Sequence, residues 1–552
     1  MNEIQVYFPD GSSAGCPFGT QIDAFLDRFG AIPGGVAAVR VNNEIVPLSS
    51  RLEVNATLEP VPLEAPEGVM IYRRSLAFLL AVAGRNLFPD RSLYVGHSLG
   101  NSYYYTFADE RKPLRKEIED LAREMNKLVV EDLSISFRFL AYGEALALFK
   151  KNKQTDTSLL LEQRSESKIT VNECTGFVDL YIAPLVNRTG ILRAFSLLPY
   201  QDGFLLCFPG VGRGDTLDPF EDSPKIFSVY REYKKWGRIV GVHAVGYLNR
   251  LVSERTVKEY ISIAEAFQGN KLAEIAAKIY EKRDTVKVVL IAGPSSSGKT
   301  TTAKRLSIQL KVMGIDPLAI SLDDYYVNTD KTPRDEAGDP DYECLEALDI
   351  PYLNEQLVAL LAGEKAELPL FDFKLGRRRD GGGRCVRMGR RTVLIVEGIH
   401  GLNDALTPRI GGDKKFKLYV SALTQLNLDD HNRIPTSDNR LLRRIVRDYQ
   451  FRGNSAAGTI KMWPSVQRGE RKHIFPFQNE ADAAFNSALD YELAVLKFYA
   501  DPLLRLVKPD LREYSEAARL RSFLENFAPI PPQLVPGQSI LREFIGESEF
   551  KY

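Results

Sequence analysis

Residues 286–314 constrain this chain more tightly than any other stretch. VKVVLIAG (residues 286–293) is an unbroken apolar, β-branched run of strand length, the composition of a strand buried on both faces of a parallel sheet. It passes directly into Gly293-Pro294-Ser295-Ser296-Ser297-Gly298-Lys299-Thr300 and then into the helical stretch TTAKRLSIQLKVMG, closed by Gly314. The eight residues fit GxxxxGK[ST] without deviation, in the strand–loop–helix setting the pattern requires. Glycines let the backbone curl so that successive N–H groups point at phosphate oxygens, and the helix N-terminus adds positive potential. Lys299 is expected to reach the β- and γ-phosphates, the Thr300 hydroxyl to ligate Mg²⁺, and Thr301 to continue the cradle. Glycine is 40 of 552 residues, so a chance match anywhere is an event of roughly a few per cent before the flanking elements are required.

Such a loop binds nucleotide without saying what is done with it. The next apolar run, PLAISLDDYYVN, ends in adjacent carboxylates, Asp323 and Asp324. In an open α/β sheet the carboxyl ends of the strands face the ligand crevice, so a carboxylate there stands opposite the γ-phosphate. That is where a base for a substrate hydroxyl is needed. The alternative, that the two aspartates cap the following turn, stays open at this stage. A third strand, RTVLIVEGIHGL, ends at Glu397, in the place of a carboxylate that positions Mg²⁺. The helix SDNRLLRRIVRDYQFRG carries Arg440, Arg443, Arg444, Arg447 and Arg452 with little acidic compensation, which reads as a cationic lid over a transferring phosphoryl group. A second basic tract, Lys374 to Arg391, contains Gly381-Gly382-Gly383 and reads as a hairpin-like loop at a lid edge or an RNA patch.

Lys+Arg and Asp+Glu both total 72, which excludes a surface that is one polyanion-binding field but leaves local basic patches. Five dispersed cysteines without a CxxC fit reduced thiols in a cytoplasmic protein, and five histidines as scattered give no spacing for a structural zinc site. No basic-then-apolar leader opens the chain, and no apolar run near its start is long enough to span a bilayer, so a signal peptide and a membrane partner are not expected. Near the N-terminus, EIQVYF, a Pro9-Asp10-Gly11 turn, a helical stretch at Ile22–Phe29 and AAVRVNNEIV read as a small sheet crossed by one helix. Residues 251–283 show apolar residues at helical spacing and read as a helical connector broken near Gly269-Asn270.

Several of these segments resemble known families. FPDGS, PFGT and VAAVRVNNEIVPLSS resemble a TGS domain, the β-grasp module at the start of threonyl-tRNA synthetases; an RNA or protein contact and a plain docking appendage are both compatible with it. YRRSLAFLLAVAGRNLFPD, SYYYTFADE and VDLYIAPLVNRTG resemble the second N-terminal domain of those synthetases, which hydrolyses mischarged tRNA with an HxxxH and a CxxxH pair. Here those positions are Arg74, Phe78, Tyr181 and Leu185, so editing is not expected; nearby His97 lacks a partner for it.

From Val286 to about Leu504 the motifs GPSSSGKT, SLDDYY, DYECLEALDIP, LPLFDF, VLIVEGIHGL and RLLRRIVRD are similar to the uridine kinase and phosphoribulokinase family. The resemblance implies Asp323 as catalytic base, Tyr326, Tyr342, Phe371 and Phe373 lining an acceptor pocket, Glu343 on ribose hydroxyls, and Arg444, Arg447 and Arg452 in the lid. A pocket tyrosine of the family is Phe371, its base-contacting histidine falls on Gly376, a lid arginine on Asn454 and a base-reading glutamine on Met462. Loss of such paired polar groups relaxes or redirects selection. As a whole the chain resembles a family of bacterial fusion nucleoside kinases.

The expected fold class is multidomain α/β. A TGS-like β-grasp unit spans 1–62, an α+β synthetase-like unit 63–250 and the connector 251–283. A P-loop NTPase-type α/β unit with a parallel sheet spans 284–510, followed by a tail, 511–552, packed on it without chemistry of its own. The implied function is ATP- or GTP-dependent, Mg²⁺-assisted phosphorylation of a nucleoside 5′-hydroxyl. Another small alcohol such as a sugar phosphate, or a nucleotide-switched RNA-binding protein, remains an alternative; RNA contact through the N-terminal half and homo-oligomerisation stay open.

Overall fold

The computed structural model describes residues 3–334, 338, 340–372, 375–379 and 383–551. Phe373, Lys374, Gly381 and Gly382 lie outside them. At the N-terminus, alternating buried residues of Glu3–Tyr7 place Ile4 and Val6 on one face of a five-stranded sheet. Its order is Ser13–Pro17, Glu3–Tyr7, Ala56–Pro62, Val36–Val41, Glu44–Val46. Asn42 and Asn43, at φ +47° and +63°, form the tight turn of its hairpin, a conformation asparagine tolerates better than most residues. The helical turn Ile22–Phe29 closes this core with Ile22 and Phe25.

The following helix, Pro66–Leu87, is apolar around most of its circumference and is correspondingly buried, with Leu76, Leu79, Leu80 and Ala83 in one cluster with Val95, Phe107 and Phe204. The last three belong to a four-stranded antiparallel sheet ordered Ser196–Tyr200, Gly203–Cys207, Ser102–Phe107, Leu93–Ser98. A three-stranded sheet, Phe177–Leu180, Lys168–Cys174, Ser136–Ala141, adjoins it.

The helix Val257–Glu281 runs unbroken through Gly269. A glycine costs a helix interior about 1 kcal/mol, which burial of Gln268, Leu272, Ile275 and Ile279 around it outweighs. This helix lies along the Lys299–Val312 helix, where Arg305 donates to Gln268 Oε1 at 2.6 Å and pairs with Glu265 at 3.4 Å.

The C-terminal unit is built on a five-stranded, wholly parallel sheet ordered Asp316–Ser321, Thr392–Glu397, Val288–Ala292, Lys415–Ser421, Ala483–Asn486. Every residue of its central strand, Val288–Ala292, is buried, as the unbroken apolar run requires. Two short hairpins, Lys365–Leu368 with Arg384–Arg387 and Phe371–Asp372 with Arg377–Arg378, occupy part of the basic tract. Residues Leu428–Asp438 carry this unit onto the synthetase-like one. Asp430 accepts from Asp156 N–H, Thr157 N–H and the Thr157 hydroxyl at 3.2–3.3 Å, and Asn427 donates to Val95 O at 2.8 Å. No helix of the described residues is long and apolar enough to cross a membrane.

Candidate active site

All five parallel strands end on the same edge, and the register puts Glu397 level with both Ile291 and Ser321. The chain leaves the central strand at Gly293, where a Cβ would lie 1.9 Å from Val420 O, so only glycine lets the loop start this close to its neighbour. The loop turns through Ser296 at φ +57° and Gly298 at φ +82° and enters the Lys299–Val312 helix. Thr301 and Thr302 are fully buried in its first turn, and Thr302 Oγ1 donates to Gly298 O at 2.7 Å.

The Lys299 ammonium is held by the loop's own carbonyls, Gly293 O at 3.0 Å and Pro294 O at 3.1 Å. Burial pulls its pKa down, while the carboxylates of Glu397, Asp323, Glu543 and Glu343 act in the opposite direction. Thr300 Oγ1 and Ser321 Oγ both donate to Glu397 Oε1 at 3.2 Å. Burial, and then repulsion by Asp323, pushes Glu397 up to about 7. A half-buried carboxylate held back from ionising, with a threonine hydroxyl on the same oxygen, fits a divalent cation as its missing counter-charge. Mg²⁺ takes one or two protein ligands and fills the rest with phosphates and water, so this pair suffices for it. No group of three or more His, Cys, Asp or Glu suited to a metal occurs among the described residues.

Neither aspartate after the second strand caps the turn. Ser321 does that, its hydroxyl accepting from Asp323 N–H at 3.3 Å. Asp324 Oδ1 instead accepts from Phe371 N–H at 3.2 Å and fixes the hairpin of Phe371–Asp372 with Arg377–Arg378; burial raises its pKa. Asp323 is left among Lys299, Glu397 and Glu343, whose ionisation it influences. Tyr326 packs edge-on against Tyr342 at 5.6 Å and against Phe371 at 5.9 Å, and donates to Tyr342 O at 3.1 Å. The buried Glu343 carboxyl is pushed up to about 7 by burial and then by Glu470, and its Oε2 has no hydrogen-bond partner. The expected substrate residue Phe373 falls outside the described residues. Gly376 adopts φ +63°, and a Cβ there would meet Thr329 Oγ1 at 2.3 Å, so any side chain at this position would have to displace Thr329.

The five arginines do not form one uncompensated lid. Arg440 is paired with Glu470, and the fully buried Arg443 with Glu492, through contacts spanning 30 and 49 residues of chain. Arg444, Arg447 and Arg452 gather around the buried Asp448 at 3.2, 2.7 and 3.7 Å, and Arg444 also reaches Ser295 Oγ at 2.7 Å. The tail packs against this unit and reaches the loop itself. Glu543 Oε2 accepts from Thr301 N–H at 3.0 Å and from Thr301 Oγ1 at 2.5 Å, and Ile540 lies against Gly298. On the other side of the loop Glu470 accepts from Ser295 N–H at 2.9 Å, and Arg440 donates to Ser295 O at 3.0 Å. The role of Ser321 was readable as a helix-capping serine two residues before Asp323, and that of Asp448 from its i,i+4 spacing to Arg444 and Arg452; Glu470 and Glu543 carried no local signal.

At the positions that the synthetase resemblance aligns with the editing pairs, Arg74 donates to Pro184 O at 3.4 Å, Phe78 packs on Phe177 at 5.5 Å, Tyr181 on Phe137 at 5.9 Å, and Leu185 is buried. His97, stacked on Tyr230 and pushed down to about 3 by burial and Arg433, stays neutral.

Residues 288–494 match the model of the phosphoribulokinase / uridine kinase family. The chain is 31% identical over 201 residues to the threonine–tRNA ligase of Geobacter sp. (strain M21), covering 36% of this chain and 31% of that protein. To the threonine–tRNA ligase of Coxiella burnetii it is 30% identical over 194 residues, 35% of this chain and 30% of that one. The chain thus spans about a third of the length of these curated relatives. Among solved structures, a "Possible Uridine Kinase" of Bacillus stearothermophilus matches 39% of this chain and 98% of its own at 22% identity and a TM-score of 0.25. D-glycerate 3-kinase from Cryptococcus neoformans matches 46% and 87% at 17% identity and 0.23. The chain therefore joins a threonine–tRNA ligase-like N-terminal segment to a C-terminal segment of the phosphoribulokinase / uridine kinase type.

Proposed function

We propose, from a C-terminal segment of the phosphoribulokinase / uridine kinase type, that this chain transfers the terminal phosphoryl group of ATP to a small-molecule alcohol, and that the alcohol is a nucleoside 5′-hydroxyl. The meeting of Lys299, Thr300, Asp323, Glu343 and Glu397 at the carboxyl edge of one parallel sheet carries this reading. Lys299 and the loop amides from Ser295 to Thr301 bind the triphosphate. Thr300 and Glu397 would hold Mg²⁺, which supplies charge neutralisation between the β- and γ-phosphates when bound. Asp323 accepts the proton of the attacking hydroxyl, while Arg444 and Arg447 stabilise the equatorial oxygens, with Arg452 beside them. Tyr326, Tyr342, Phe371 and Phe373 enclose the acceptor, and Glu343, once ionised, accepts from vicinal hydroxyls. For the N-terminal half, the likeness to threonine–tRNA ligases supports an RNA contact.

A specific observation favours an acceptor other than a pyrimidine nucleoside: the position where the family resemblance places a base-contacting side chain is Gly376, left-handed and with Thr329 Oγ1 2.3 Å from where a Cβ would stand. Radiolabelled ATP, with GTP as a second donor, offered to a panel of nucleosides, sugar phosphates and glycerate tests both readings. Label on a nucleoside is the expected result; label on another alcohol alone replaces the acceptor. Nucleotide binding with transfer to no alcohol overturns the kinase.

A further inference from the structure

A cavity of about 1010 Å³ lies between the synthetase-like unit and the C-terminal unit. The helix Pro66–Leu87 and the sheet behind it form one wall; segment Leu428–Asp438 and the helix Ala456–His473 contribute the other. Asp323, Glu343 and residues 293–301 take no part in its lining, so it is separate from the proposed phosphoryl-transfer site.

Its charge balance is lopsided. Of the lining acids, Asp218 is matched by Arg213 at 3.1 Å, Asp438 by Arg519 at 2.7 Å, Glu470 by Arg440, and Asp179 by His431 at 3.4 Å, leaving Glu221. Arg73, Arg74, Arg433 and Arg471 line the same space, and among the described residues none has a carboxylate within 4.0 Å. Neutral groups hold Arg73, Arg74 and Arg433 instead. Arg73 donates to Asn101 Oδ1 at 2.9 Å and lies over the Phe208 ring at 4.6 Å, and its Nε has no hydrogen-bond partner. Arg433 lies over the Tyr103 ring at 5.1 Å. Arg433 and Arg471 are close enough to depress the Arg73 pKa further, after burial. Guanidinium groups oriented by amides and rings keep their charge and their forked donors for something else.

We propose that this cavity binds a small phosphate-bearing anion of at least two negative charges, gripped by Arg73 and Arg433 and enclosed by Arg74 and Arg471. Several guanidinium groups around one space suit a phosphate compound better than a lone carboxylate. The volume, at the upper end of the roughly 300–1,000 Å³ of single-ligand pockets, and walls from both units suit one molecule rather than a strand. Occupancy also has a route to the loop: Arg440 and Glu470 line this cavity and hold Ser295 by its carbonyl and amide. By reciprocity, the anion and the nucleotide change each other's affinity by the same factor.

Pyrophosphate titrated calorimetrically into full-length Lys299→Ala protein, whose phosphate loop is disabled, tests this. One site is expected, weakened about tenfold or more by Arg73→Gln and by Arg433→Gln and less by Arg433→Lys. Phenylglyoxal labelling of the Lys299→Ala protein provides a readout independent of those variants: pyrophosphate should shield Arg73 and Arg433. Orthophosphate and a nucleoside monophosphate form further arms; tighter binding of the latter assigns a nucleotide, equal binding a plain phosphate compound. The proposal is overturned by absence of binding to Lys299→Ala, or by binding that neither glutamine variant weakens together with unshielded arginines. Citrate binding tighter than pyrophosphate removes the phosphate assignment. A short oligoribonucleotide that displaces pyrophosphate at tenfold lower concentration makes RNA the ligand instead.

Discussion

Asp323 and Asp324 are chemically alike and adjacent, yet one anchors a hairpin while the other faces the loop lysine's surroundings. Asp323→Asn should lower kcat by about 10²–10⁴-fold, the usual worth of a general base, and leave the affinity for an ATP analogue within a small factor. A kcat that survives, measured with the best acceptor of the panel, removes Asp323 from the reaction. Glu343 makes a pH prediction. The folded protein holds its proton up to about 7, whereas the unfolded chain releases it near 4.5. Between those values the native state binds more protons, so stability falls as pH rises across that window, by about 3 kcal/mol at most. Denaturant titrations of wild type and Glu343→Gln at pH 4.5 and 7.5 should show the variant losing less. The glycine–serine loop, Lys299, Thr300 and Glu397 were legible because each depends on a strand end or a neighbour in sequence. The division of work between two aspartates was not, because it rests on which one meets Phe371 N–H, 47 residues away.

At the scale of elements, the arginine-rich helix shows why charge read along a chain misleads. Its compensation comes from Glu470 and Glu492, on segments that only folding brings alongside, and from Asp448 just beyond its own end. Asp448→Asn leaves Arg444, Arg447 and Arg452 without their shared carboxylate. Breaking a buried ion pair from one side costs about 3–5 kcal/mol, so a clear drop in thermal midpoint is expected, with Arg452, the most exposed of the three, contributing least. The tail is the other case: nothing in PPQLVPGQSILREFIGES announces that Glu543 meets Thr301, 242 residues earlier. Helix-start amides are anion donors, and this one already donates to a protein carboxylate. Glu543→Gln should therefore tighten binding of a non-hydrolysable ATP analogue by about tenfold, read by calorimetry; equal affinities would show that the carboxylate does not compete.

Over the whole molecule, the parallel sheet and the small N-terminal sheet followed from hydrophobic patterning and the α+β character of residues 63–250 from resemblance alone, while their mutual placement came from polar contacts that no pattern encodes. Asp430 is the clearest of these, taking three donors from the residues Asp156 and Thr157 of the other unit. Asp430→Ala strands those donors at about 1–3 kcal/mol and should loosen the seam, seen as earlier tryptic cleavage or a second calorimetric transition without loss of the parallel-sheet unit. The Glu543 contact has a consequence at this scale too. One amide cannot serve a carboxylate and a phosphate oxygen at once, so a nucleotide bound as proposed above would turn the Glu543 side chain out of the loop. Leu541, Phe544 and Ile545 hold the chain in the core on either side of it, so what such a ligand dislodges is one carboxylate, with the tail left in place.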